Sequence, residues 1–480
     1  MSFYRYVILT RLGVKKIMKK NVSNSTSLES LVSNRTDLEL ISTHITRRNF
    51  TFLTTSLLFY ATLPVGIGHS KDKLRVIWHG LSFMGKCNDD CDNLDKAFPN
   101  IRKLLKNEDD ARNIWNPISD KIKSLNSSLP IEVVIPGRSP EAVNPDVGMV
   151  LAITSEADIA SQYYPNDDVT FLIYEIQCYG IVFEFKKMRV MNSFPIRLWR
   201  TDKISGRKNK GSLKTWFYRA LSGENITDEA TLPNIFENKL KKIDFKKSDP
   251  VNIRVTKVNI RKMMQNWLLK QNKATIELER LAGNSLTSAI SETVNIGVQP
   301  FSLNRSLADM AVTLATSGAG MEVFESLLNL PDPELDIRLA LRGVKLRVKN
   351  TNKKYFKNYR ITIGVEITIA KYKYIFEETG GVKTLIRETL IKPILKQKLR
   401  AISIEETTEQ WRNDWYWVLD LHHALFEWFF ISIMDPDKTS KMQKGMQRKG
   451  KTRKFFFQVH SKNEELFMDE ASQLREGLKT

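Results

Sequence analysis

Leu335–Phe376 reads LDIRLALRGVKLRVKNTNKKYFKNYRITIGVEITIAKYKYIF, and its period decides the fold. Ile337, Leu339 and Leu341 alternate with Arg338 and Arg342. The alternation slips by one residue at Gly343. It resumes as Leu346 and Val348 against Lys345, Arg347 and Lys349. A one-residue slip at a glycine is the sequence form of a β-bulge. After a polar loop, Ile361, Ile363, Val365, Ile367 and Ile369 alternate with Arg360, Thr362, Glu366 and Thr368. The stretch is therefore an antiparallel hairpin. Its aliphatic face needs a covering layer, and its other face is cationic on the first strand.

Downstream, the spacing of Lys383–Leu399 predicts a helix kinked at Pro393. Ser403-Ile404-Glu405-Glu406 has capping-box spacing and predicts a second helix over 404–434. That helix carries Trp411, Trp415, Trp417 and Trp428 and is apolar enough to be buried, so its indole N–H groups need partners. Asn413, Tyr416, Asp420, His423 and Glu427 fall three and four residues apart on one face. Asp420, His423 and Glu427 are the candidate catalytic or metal-holding groups, since two carboxylates and an imidazole can bind a cation or move a proton. The bland reading is a solvated face. Lys438–Lys454 reads as a basic loop, Phe455–Val459 as a strand and the last residues as a helix.

Upstream, Arg261–Leu281 predicts one amphipathic helix ending before Gly283-Asn284. Ser285–Asn329 is rich in Ser, Thr, Ala and Gly, with a helix expected over Leu303–Leu314. Gly318-Ala319-Gly320 is not a dinucleotide fingerprint, because no strand leads into it and the third glycine is missing. Val169–Glu184 and Met188–Trp199 read as adjacent antiparallel strands, followed by a basic loop over Lys203–Lys214. Trp216–Leu221 and Asn234–Lys242 read as helices. Lys73–Phe83, a helical stretch from Phe98 to Leu125 broken near Pro117, Ile131–Ile135 and Gly148–Ile153 give a β-α-β start. Between them, Cys87 and Cys91 sit in an Asp-rich loop. Their spacing does not match a zinc pair, and a local disulfide is the expectation in an oxidising compartment.

Thr46–Gly68 has an Arg47-Arg48 pair, an uncharged run from Phe50 to Val65, and then Gly66 and Gly68. This is the three-part layout of a secretory signal. Thr46-Arg47-Arg48-Asn49-Phe50 resembles the twin-arginine export signal, departing from it at Thr51, where a leucine is usual. The resemblance covers the leader alone and implies export to the periplasm or beyond. A basic, acid-poor stretch before it also fits organellar import. The apolar run is too short for a membrane anchor, so none is expected in the mature chain.

The 480 residues carry 74 Lys and Arg against 54 Asp and Glu, a formal charge of +20. Such a surface attracts polyanions. Three cysteines exclude a disulfide framework. The serine-hydrolase elbow and the phosphate loop are both absent. The expected fold is α/β or α+β, with mixed, largely antiparallel sheets and packed helices. The expected organisation is a leader over 1–69, an α/β domain over 70–250 and an α+β domain over 251–480.

The leading expectation for function is an exported, basic, non-enzymatic binding or structural protein lying on anionic envelope polymer or lipid head groups. Its polyanion surface would be Lys345, Arg347, Lys349, Lys353, Lys354 and Lys357. The alternatives are an exported metal- or cofactor-dependent enzyme, with metal and cofactor unidentified, and an intracellular nucleic-acid-binding protein.

Overall fold

Long apolar strands separated by short amphipathic helices dominate the chain from Leu74 onward. The structure, a computed structural model, describes residues 73–84, 95–96, 98–135, 147–165, 167–184, 189–207, 210–223, 231–242, 253–294, 298–301, 309–315, 323–329, 333–352, 355–379, 382–409, 412–439, 446–449, 454–459 and 464–479. In chain order these form β1 (Leu74–Met84), α1 (Pro99–Leu105), α2 (Glu108–Ser124), β2 (Ile131–Val134), β3 (Val147–Tyr164), β4 (Val169–Glu184) and β5 (Arg189–Ser205). Next come α3 (Lys210–Ser222), α4 (Leu232–Leu240), β6 (Ile253–Ile260), α5 (Lys262–Lys270), α6 (Thr275–Val294), β7 (Asp309–Ala315) and β8 (Val323–Asn329). The rest is β9 (Leu335–Asn350), β10 (Lys357–Thr379), β11 (Val382–Thr407), α7 (Asp414–Met434), α8 (Pro436–Thr439), β12 (Met446–Lys449), β13 (Lys454–Val459) and α9 (Glu464–Lys479).

The fold is α+β, built on two mixed sheets with packed helices. The first sheet has the order β2-β1-β3-β4-β5-β8-β7, and β7 returns to pair with β1 over Ser82–Met84. β1 runs parallel to β2 and β3, whereas β3, β4 and β5 form an antiparallel meander. β4 is buried on both faces, which explains its almost continuous apolar run. One face of this sheet packs on α1–α4 through Trp78, Ile114, Phe217 and Phe236. The second sheet has the order β12-β13-β11-β10-β9-β6, with β6 parallel to β9 and its other pairings antiparallel. Ile337, Leu339, Leu341, Ile361, Ile363, Val365, Ile367 and Ile369 all face the core and are fully buried. They pack on α6 and α7, which also touch β5 and β3 of the first sheet.

The hairpin bulge lies where the alternation slips: the β9–β10 register shifts between Gly364 and Val365, opposite Gly343 and Leu341. Several expectations are corrected. Lys383–Leu399 is strand β11, and Pro393 is accommodated because the ladder bulges at that point, pairing Ile369 with Leu395 but Ala370 with Pro393. The Ser403–Glu406 capping box lies inside the same strand. The helix starts instead at Asn413, whose side chain accepts a 2.9 Å hydrogen bond from the Tyr416 N–H. Arg261–Leu281 is two helices. Lys273 N donates to Leu268 O at 3.1 Å and Asn272 N to Leu269 O at 3.2 Å, with Asn272 at φ 54°. That is a Schellman stop with asparagine in the left-handed position.

α6 then runs through Gly283 and Asn284. Its small residues are required by close packing: a Cβ on Gly283 would lie 2.4 Å from the Phe301 ring. Asp309–Ala315 is a strand, so the helix expected over Leu303–Leu314 is not formed there. Pro117 sits inside α2, and the break lies near Lys106-Asn107 instead. The basic loop expected over Lys203–Lys214 is shorter, because β5 reaches Ser205 and α3 begins at Lys210. The segment Lys438–Lys454 contains β12.

All described elements belong to one compact unit, His69–Glu141 with Pro145–Thr480. The boundary expected near residue 250 falls inside it, and two domains remain an expectation. Among the described residues, no helix is long and apolar enough to cross a membrane. The export leader, Gly318–Gly320, Cys87 and Cys91 lie outside the described residues.

Candidate functional site

Strand pairing assembles the cationic surface. Same-face residues on a strand are spaced about 6.7 Å apart, and neighbouring strands about 4.8 Å. Lys345, Arg347 and Lys349 are exposed on the outer face of β9. Opposite them in β10 stand Thr362, Arg360 and Asn358. Arg347 thus faces Arg360 directly, and like charges in that position destabilise a sheet. β11 continues the face with Lys396, Lys398 and Arg400, whose opposite numbers are Thr368, Glu366 and Gly364. Glu366 is engaged by Lys396 at 3.5 Å. Among the described residues, Lys345, Arg347, Lys349, Arg360, Lys398 and Arg400 make no ion pair.

The expected set is therefore partly rearranged. Lys353 and Lys354 lie outside the described residues. Lys357 points to the opposite side of β10, where it pairs with Glu409 at 3.1 Å. The Glu409 carboxylate also accepts from Tyr359 and Arg412, and these donors hold it down to about pKa 2. Arg360, Lys396, Lys398 and Arg400 were not expected in this surface. Of the other basic segments, Lys214 pairs with Asp110 at 2.8 Å, and Arg207 lies 5.2 Å over the Tyr163 ring.

The polar stripe on α7 is not a freely solvated face. Tyr416 stacks on Trp199 of β5 at 5.7 Å. His423 Nδ1 lies 2.9 Å from Ser285 Oγ on α6, and His423 Nε2 lies 3.4 Å from Glu427 Oε1. The structure adds Glu292 from α6: single donor atoms of Glu292, His423 and Glu427 all lie within 4.8 Å of one another. Asp420 is not a member of that group. Ser288 Oγ donates to Glu292 Oε1 at 2.8 Å, and Lys239 Nζ lies 3.9 Å from the same oxygen. Burial lowers the Lys239 pKa, because the charged ammonium loses hydration.

Other buried charges are committed to structure. Glu156 accepts from the Asn100 and Ile101 backbone N–H groups at 2.8 and 2.9 Å, and so caps α1. Glu175 holds Arg197 at 3.0 Å, and Arg197 in turn lies 4.2 Å over Trp199. Burial raises the pKa of Cys178, leaving a buried thiol rather than a nucleophile. The tryptophan N–H groups find partners unevenly. Trp78 donates to Ser119 Oγ at 3.2 Å, whereas the Trp415 and Trp428 indole nitrogens have no partner among the described residues.

No protein-family model and no curated protein sequence matches the chain.

Proposed function

We propose that this is a non-enzymatic protein that binds an extended anionic envelope polymer on the outer face of β9, β10 and β11. The observation that carries the reading is the direct opposition of Arg347 and Arg360, flanked by exposed Lys345 and Lys349. Like charges directly opposite on neighbouring strands disfavour their pairing, and an anion lying across them would offset that repulsion. The grid of cations favours charge density over a shaped epitope, and binding of that kind gains by counterion release. The net charge of +20 would bring polyanions to the surface at long range.

Three probes separate the sources of anion: a heparin-like polymer, phosphatidylglycerol vesicles and duplex DNA. The polymer should be retained most strongly at low salt. Lys345→Glu with Arg347→Glu should weaken retention at least tenfold, while the unliganded protein melts no lower than the wild type, because the Arg347–Arg360 repulsion is relieved. Preference for vesicles or DNA would reassign the ligand class, and indifference to all three would end the proposal.

The location rests on the leader alone. With a twin-arginine receptor, Arg47→Lys with Arg48→Lys should leave the chain in the cytoplasm, because such a receptor reads the guanidinium pair and not charge only. Unchanged fractionation of that variant would remove the twin-arginine reading.

A further inference from the structure

We infer that Glu292, His423 and Glu427 form a binding site for one zinc ion at the junction of α6 and α7. Three features support it independently of the cationic face. The donor set is one imidazole and two carboxylates, a borderline N/O set suited to first-row divalent metals. The spacing fits: zinc bonds of about 2.0–2.1 Å in tetrahedral array place donors roughly 3.3 Å apart, and His423 Nε2 and Glu427 Oε1 are already 3.4 Å apart. The third donor lies within 4.8 Å of both, so a modest rotation of the Glu292 side chain closes the set.

The surroundings match what a ligated imidazole needs. Ser285 Oγ at 2.9 Å from His423 Nδ1 can accept the Nδ1–H, which fixes the tautomer with its lone pair on Nε2. Ser288 orients Glu292 in the same way. A plain ion pair of His423 with Glu427 would need only one carboxylate. Bringing Glu292 alongside places two carboxylates around one imidazole. A divalent ion offsets both carboxylates. Glu292 is exposed while His423 and Glu427 are half-buried, so solvent can supply the remaining ligand.

The test uses the full chain without an affinity tag, stripped with chelator and titrated with zinc alone by calorimetry. One ion per chain and a higher melting temperature are expected. Glu292→Gln and Glu427→Gln keep side-chain shape and should each weaken binding by about a hundredfold or more. Ser285→Ala should weaken it by roughly 10–100-fold, the usual effect of losing a group that orients a ligand. Asp420→Asn should leave it unchanged. Cobalt-substituted wild-type protein gives a readout independent of any variant's folding: a paramagnetically shifted imidazole N–H resonance is expected. Wild-type affinity in both Gln variants, no stoichiometric binding, or a thiolate-to-cobalt band placing the ion on Cys87 and Cys91 would overturn the assignment.

Discussion

His422 and His423 are adjacent and have opposite surroundings. His423 turns toward Ser285 and Glu427, whereas His422 is 1% exposed, and its one side-chain hydrogen-bond partner among the described residues is the Val418 carbonyl, 2.8 Å from its Nδ1. Burial lowers the His422 pKa from 6.5 to about 4, and that of His79 likewise. The unfolded chain takes up protons near pH 6.5, and the folded chain does not until about pH 4. The stability from keeping His422 neutral is therefore complete above about pH 6.5 and is lost as the pH falls toward 4. The displacement corresponds to up to about 3 kcal/mol for each histidine. Denaturant titrations at pH 7.5 and 5.0 should show the loss, and His422→Leu should make it smaller. A loss unchanged in that variant would contradict the burial account. At this scale the α7 stripe was legible from spacing, and Glu292 was not. The helix carrying Glu292 passes through Gly283, Asn284 and Ser285, which are poor helix formers, and burial between α7 and the sheets overrides that preference.

At the scale of elements, an irregularity in a strand hides its period. Lys396, Lys398 and Arg400 alternate with Gln397, Leu399 and Ala401 at period two, which signals a strand. Pro393 and the bulge beside it break the count and mimic helical spacing. In β9 the bulge comes at a glycine and interrupts a longer alternation, so the strand was legible. The start of α7 is likewise set by geometry that spacing alone does not rank. Ser403 and Asn413 are both capping residue types, but Ser403 pairs with Ile361 and Phe455 within the second sheet. Asn413→Ala should lower stability by about 1 kcal/mol through the lost cap, whereas Ser403→Ala should leave the helix start untouched. Amide exchange at Tyr416 distinguishes them: faster exchange is expected only in the Asn413 variant.

Across the whole molecule, two sheets share α6 and α7, and this arrangement separates the two candidate chemistries. The helices take the inner face of the second sheet and hold the histidine–carboxylate group. The outer face is left to charge. The aliphatic half of the hairpin was readable because burial imposes a strict period. The extent of the cationic half was not, because it depends on which strand lies beside β10, and on Lys357 turning to the other side. The central claim is that this face binds by charge density, and the salt dependence of binding tests it most directly. For duplex DNA, each neutralised phosphate contributes about 0.9 to the slope of log affinity against log salt. Replacing Lys345, Arg347 and Arg360 together by Gln should reduce the magnitude of that slope by about two to three on DNA, and lower it in parallel on the heparin-like polymer, with no drop in the melting temperature of the unliganded protein. An unchanged slope and affinity in the folded triple variant would show that polyanions do not bind this face.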